Sequence, residues 1–143
     1  MKMSTRPADA NSIKRGSYIL VDGEPCQVLD LSHSKTGKHG HAKIRMEVIG
    51  LFDKKKRSPV MPSTAKVQVP IIDKRNAQVI SLEGEEMSVM DNETYETLSI
   101  PKPTDPNHLA KLHEIIDAGK TAEVEYWIVM NRFLVNRIKE MDI

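Results

Sequence analysis

Hydrophobic positions along this chain recur mostly at a spacing of two, the period of a strand with one buried face. The segment "AKIRMEV" sets Ile44, Met46 and Val48 against Lys43, Arg45 and Glu47 and predicts a strand with one polar face. Upstream, "YILVDGEPCQVLDLS" places two apolar runs around Asp22-Gly23, a strong hairpin signal. Downstream, "FDKKKRSPVMPSTAKVQVP" supplies a basic turn, two prolines and a short strand. Residues 1–12 read as a polar, frayed tail, and no credible helix occurs before Pro70, which marks a domain boundary.

Beyond Pro70, "AQVISLE", "EMSVMDN" and "YETLSI" predict three short strands with turns at "GEE" and "NET". "PKPTDPN" interrupts the alternation, and the period then changes. Leu109, Leu112, Ile115 and Ile116 recur at helical spacing and run to Gly119, a natural residue for the position after a helix, so a helix is expected over 107–118. "AEVEYWIVMN" and "FLVNRIKE" close the chain as two more strands. Three strands, a helix and two strands is the order of a five-stranded OB-type barrel. The pattern therefore predicts an all-β protein of two domains, 1–70 and 71–143, with one helix in the second.

Composition changes this picture little. With 39% hydrophobic and 29% charged residues the chain has a soluble globular balance, and no apolar run approaches the roughly 18 residues of a membrane helix. The start has no apolar core of a secretory signal. The single cysteine, Cys26, fits a reducing compartment and a small buried strand residue rather than a nucleophile. Charge changes it more. Residues 1–70 carry 13 Lys+Arg against 6 Asp+Glu, a net of +7, whereas residues 71–143 carry 8 against 14, a net of −6. The first half suits a polyanionic partner. The second has only Tyr95, Tyr126, Trp127 and Phe133 as rings and makes a poor stacking platform for nucleic acid. Trp127 is expected in the core or at a barrel rim.

The chemistry gathers in "SKTGKHGHAK", residues 34–43, where Lys35, Lys38, Lys43 and Arg45 lie with His33, His39 and His41 between the acids Asp30 and Glu47. A phosphate-binding loop would need a glycine at 32, Ser or Thr at 39 and a following helix; Ser32, His39 and a strand stand there instead. Zinc on the three histidines is opposed by four cations and the lack of a nearby carboxylate or cysteine. No nucleophile–base–acid set and no convergent carboxylate pair points to catalysis, and no metal or cofactor is called for. Two readings of the loop remain. Gly37 and Gly40 strip bulk from both sides of Lys38, letting the lysine enter an enzyme pocket or a crevice; or the loop is a solvated basic turn. On either reading residues 35–41 are expected to be exposed and to exchange amides fast. Lys54, Lys55, Lys56 and Arg57 likewise read as a solvated turn, a phosphate-contacting patch or a nuclear signal.

This ten-residue stretch resembles the hypusine loop of the translation initiation factor 5A family of archaea and eukaryotes. The likeness extends through "GEPCQVLDLSHSKTGKHGHAKIRMEVIGLFDKKK" and "PSTAKVQVPIIDKRNAQVISLEG" to cover about residues 13–138, and "VEYWIVMNRF" resembles archaeal members. The resemblance implies an SH3-like β-barrel followed by an OB-fold, and kinship with bacterial elongation factor P. It implies that Lys38 receives an aminobutyl group from spermidine through deoxyhypusine synthase, with Ser34, Lys35, Thr36, Gly37, His39, Gly40 and His41 presenting it. It implies a cytoplasmic factor, not an enzyme, with no membrane and no small-molecule substrate. Such a factor binds the ribosome near the exit-tRNA site, beside rRNA and P-site tRNA, and directs the modified lysine at the peptidyl-transferase centre to promote peptide-bond formation. Lys43, Lys54, Lys55, Lys56 and Arg57 are then the expected rRNA contacts. An RNA-binding module with unmodified loops and a protein-interaction module are the competing classes; the mass of the native protein and the salt dependence of RNA binding separate them.

Overall fold

A computed structural model describes residues 4–35 and 42–141. It divides the chain into two compact units, Met1–Ile71 and Ile72–Ile143. Each has its own hydrophobic core.

In the first unit β2 (Tyr18–Val21) and β3 (Glu24–Lys35) form a hairpin. Its turn places Asp22 at φ 52° and Gly23 at φ 81°, the left-handed pair that suits the right-handed twist of the strands. β4 (Ala42–Gly50) lies beside β3, and β5 (Lys56–Arg57) and β6 (Val60–Pro62) both pair with β4. The alternation predicted for β4 is observed. Ile44, Met46 and Val48 are fully buried with Ile19, Cys26 and Val28, and Lys43 and Arg45 face outward.

The N-terminal tail differs from expectation. Thr5–Asp9 forms a strand, β1, antiparallel to β7 (Lys66–Pro70), with Thr5 opposite Pro70 and Asp9 opposite Lys66. A turn of 3-10 helix, Ala10–Ser12, follows, and both Ala10 and Ile13 are buried. The reason is non-local. The backbone groups of β7 need partners, and a polar segment with alanines at 8 and 10 supplies them while adding apolar surface to the core.

The second unit is the predicted series. β8 (Ile72–Glu83), β9 (Glu86–Asp91) and β10 (Thr97–Pro101) precede the helix α1 (Pro106–Asp117), and β11 (Ala122–Val129) and β12 (Arg132–Glu140) follow it. The sheet runs β10-β9-β8-β11-β12, and β10 and β12 approach each other across the remaining gap, as an OB barrel requires. Asp105 caps α1 by accepting from the Asn107 N–H at 2.8 Å, with Pro106 in the first turn. Gly119, at φ 75°, ends it: its N–H donates to Ile116 O and that of Lys120 to Ile115 O, a Schellman closure. Leu112 and Ile115 insert beneath the barrel. The fold is all-β in two domains, an SH3-like barrel followed by an OB-fold with one helix.

Candidate functional site

The β3–β4 ladder continues from Leu31 opposite Met46 through Ser32–Arg45 and His33–Ile44 to Ser34–Lys43 and Lys35–Ala42. Ser34, Lys35 and Lys43, which the sequence reading puts in the loop, are therefore strand residues. The chain either side of positions 36–41 leaves and returns on two paired strands. Thr36, Gly37, Lys38, His39, Gly40 and His41 lie outside the described residues, and so does the expectation about their exposure and exchange. Ser34, His33 and Lys43 are exposed.

Directly opposite residues of an antiparallel pair share a face, so Ser32, Ser34, Lys43 and Arg45 stand together on the outside of the hairpin. Arg45 is not free charge. Its Nε donates to Glu47 Oε1 at 3.2 Å, and Ser58 Oγ donates to the other oxygen at 2.6 Å. Alternation places Arg45 and Glu47 side by side on one face. Lys43 forms no ion pair among the described residues.

The basic turn between β4 and β5 is ordered from within. Asp53 accepts from the Lys55 N–H at 2.9 Å and from both ends of the Arg57 guanidinium, at 2.7 Å and 3.3 Å. Arg57 Nη1 also donates to Lys55 O at 3.4 Å and approaches Cys26 Sγ at 3.8 Å. The Arg57 hydrogen bonds hold the Asp53 carboxyl down at about 2, and burial pushes the Cys26 thiol up. Gly50 makes room for the arrangement, because a Cβ there would lie 2.0 Å from Asp53 Oδ1. Lys54 takes φ 58° at the apex. Lys54, Lys55 and Lys56 are exposed, whereas the Arg57 side chain is only 21% exposed. The four-cation run is thus three available lysines and one internal strut. Asp53 and Gly50 were missed from sequence; an acid four residues before an arginine was the only signal.

The second unit carries an analogous pair at greater depth. Asp91, 2% exposed, is the one buried polar or charged side chain among the described residues. It accepts from Arg75 Nε at 2.6 Å and Nη2 at 3.0 Å, from Tyr126 OH at 2.7 Å, and from the N–H groups of Glu93 and Thr94. The Arg75 hydrogen bonds set its carboxyl far below the usual range, and burial together with the Asp91 bond pushes Tyr126 up to about 12. Trp127 is buried, with Lys74 Nζ 4.6 Å from its ring centroid and Nε1 donating to Glu125. His113 is exposed on α1 and His108 is half-buried. No helix among the described residues is long and apolar enough to cross a membrane.

A basic SH3-like domain with a long paired hairpin, joined to an acidic OB-fold, defines a class of two-barrel proteins. Comparison with known proteins narrows it. The family model described as translation initiation factor 5A-like, N-terminal, matches residues 3–65. Translation initiation factor 5A of Methanococcus maripaludis (strain C5) is 45% identical over 134 residues, covering 94% of this chain and 95% of that protein. The Thermofilum pendens factor is 47% identical over 137 residues, covering 96% and 99%. Among solved structures, the initiation factor 5A from Methanococcus jannaschii aligns with a TM-score of 0.79 at 39% identity over 95% of this chain and 96% of that one. A family protein from Naegleria fowleri aligns with a TM-score of 0.84 at 30% identity over 96% and 99%. The chain belongs to the translation initiation factor 5A family and is a translation factor.

Proposed function

We propose that the protein works on the ribosome as a carrier of one modified lysine. Lys38 takes an aminobutyl group from spermidine through deoxyhypusine synthase, and Ser34, Lys35, Thr36, Gly37, His39, Gly40 and His41 present it. The factor docks near the exit-tRNA site, beside rRNA and P-site tRNA, and points Lys38 at the peptidyl-transferase centre. There it promotes the first peptide bond and bonds at stalled sites such as proline runs. It supplies no catalytic residue of its own, needs no other cofactor and acts in the cytoplasm.

The observation that carries this reading is the hairpin. Ladder pairing as far as Lys35–Ala42 brings both ends of the Lys38 segment to the tip of a two-stranded arm rooted in the core by Ile44, Met46 and Val48. An aminobutyl extension lengthens the lysine and adds a second cationic nitrogen without widening it, which suits a narrow RNA-walled channel. Lys43, Lys54, Lys55 and Lys56 supply phosphate attraction; Arg57 serves them from inside the turn.

The test is translation of a proline-run message at equal ribosome occupancy, with the modified peptide mapped by mass. Lys38→Arg keeps the charge but cannot accept the aminobutyl group, so activity is lost while the fold is kept. Lys35→Arg retains part of the modification and part of the activity. Wild-type activity in Lys38→Arg, or added mass on Lys35 or Lys43, removes the assignment.

A further inference from the structure

The turn between β9 and β10 holds an aromatic ring where the backbone disfavours one. Tyr95 has φ 62°, the left-handed region in which glycine or asparagine is the usual occupant and a bulky side chain is an outlier. It is also the most exposed large hydrophobic residue among those described, at 73%. Its side chain makes no hydrogen bond or ring contact among the described residues. Nothing in the turn's own packing calls for a tyrosine.

The turn is nevertheless fixed from below. Tyr95 N–H donates to Asp91 O and Asp91 N–H to Glu96 O, both at 2.9 Å. The Asp91 carboxylate holds the Glu93 and Thr94 N–H groups, and is itself held by Arg75 and Tyr126. A buried network thus over-determines the strained backbone, the circumstance in which strain persists. A ring presented this way has only two side-chain torsions left to order on contact.

Charge around the ring selects the partner. Glu93 and Glu96 flank it, both exposed, in a half of the chain with a net charge of −6. Arg75 lies 3.6 Å from Glu93, and Glu96 has no ion-pair partner among the described residues. A phosphate backbone would be repelled here. A guanidinium or ammonium group would find a ring face to lie on and a carboxylate beside it.

We infer that Tyr95, with Glu93 and Glu96, is the docking anchor for a cationic protein segment of the ribosomal particle, a contact separate from the lysine surface that meets RNA. The inference rests on the ribosomal reading above and adds a protein partner for the acidic domain.

The test compares wild-type, Tyr95→Gly and Glu96→Lys chains binding to purified ribosomes at fixed salt. Glycine adopts φ 62° freely, so Tyr95→Gly keeps or raises the melting temperature, while the apparent Kd weakens roughly fivefold or more, as for an aromatic anchor. Glu96→Lys weakens binding to a cationic protein and tightens binding to RNA, so the sign of its effect separates the two. With p-benzoylphenylalanine at position 95, the photocrosslink goes to a ribosomal protein. Wild-type affinity in Tyr95→Gly, tighter binding of Glu96→Lys, or a crosslink confined to rRNA overturns the inference. Wild-type binding that answers to the lysine turn but ignores both substitutions takes this inference alone. A wild-type chain that does not bind ribosomes takes the ribosomal reading with it.

Discussion

Two Asp–Arg pairs, one in each domain, do the same chemistry at different depths. Asp53 and Arg57 lie four residues apart, and their side chains are 26% and 21% exposed. Asp91 and Arg75 are distant in sequence, and Asp91 is 2% exposed. Both carboxylates also bind backbone N–H groups of a turn, so each pair sets the course of a surface loop. They differ in what surrounds them. Water competes for Asp53, and the pair organises only the lysine turn. Asp91 is shut off from solvent, and its loss would leave the Tyr126 hydroxyl without its acceptor and Arg75 with only its longer contacts to Asp73 and Glu93, at 3.5 Å and 3.6 Å. The shallow pair shapes a surface; the deep one is a condition of the second barrel's stability.

The largest effect expected from this contrast is that of Asp91→Ala. Removing one partner of a buried pair costs about 3 kcal/mol, the lower end of the usual range because Arg75 keeps some solvent. The one tryptophan, Trp127, lies in the second domain, so fluorescence melts report that domain directly. A loss no greater than that of Arg57→Ala would erase the distinction between the two pairs.

Tyr126→Phe comes next, at about 1 kcal/mol for one hydrogen bond, and it alters the pH profile. Because the folded-state value of Tyr126 is raised from 10.0 to about 12, its contribution is intact below pH 10 and disappears as pH climbs toward 12. The phenylalanine variant should show a flatter alkaline limb. Asp91 acts at the other end. Its depressed value means stability present above the ordinary carboxylate range and lost as pH falls below it, so acid unfolding should persist in Tyr126→Phe.

Gly50→Ala and Arg57→Ala test the shallow pair and should lower the melting temperature less than Asp91→Ala does. Their clearer readout is amide exchange at Lys55, whose N–H loses its acceptor when the Asp53 carboxylate is displaced. Unchanged protection there would mean the turn does not depend on the strut.

Replacing Lys54, Lys55 and Lys56 together by Ala should leave stability almost untouched. The expected change is in ribosome binding, where the slope of log affinity against log salt falls by at most about three units. Arg57→Ala should alter that slope less than any one of the lysines. A slope loss as large as theirs would return Arg57 to the RNA-facing set.

Period-two alternation was enough for β4, for the β2–β3 hairpin and for the five strands of the second barrel, because each is a local pattern set by one buried face. The helix was legible within a residue at each end, through Pro106, Gly119 and the spacing of Leu112 and Ile115. The motif around Lys38 was legible as a family signature, since the chemistry there lies in the order of residues. Other features were decided only by chain segments meeting in space. Thr5–Asp9 became a strand because β7, far along the chain, offered an unpaired edge, with Thr5 opposite Pro70 and Asp9 opposite Lys66. Arg45 and Arg57 stand in basic stretches of the sequence, and only the fold sets Glu47 and Asp53 against them. Asp91 read as one acid among 20 Asp+Glu, and only the approach of Arg75 and Tyr126 made it the buried support of the Tyr95 turn. A side chain's partner across the fold decides whether its charge faces outward or holds the molecule together, and a linear pattern does not contain that partner.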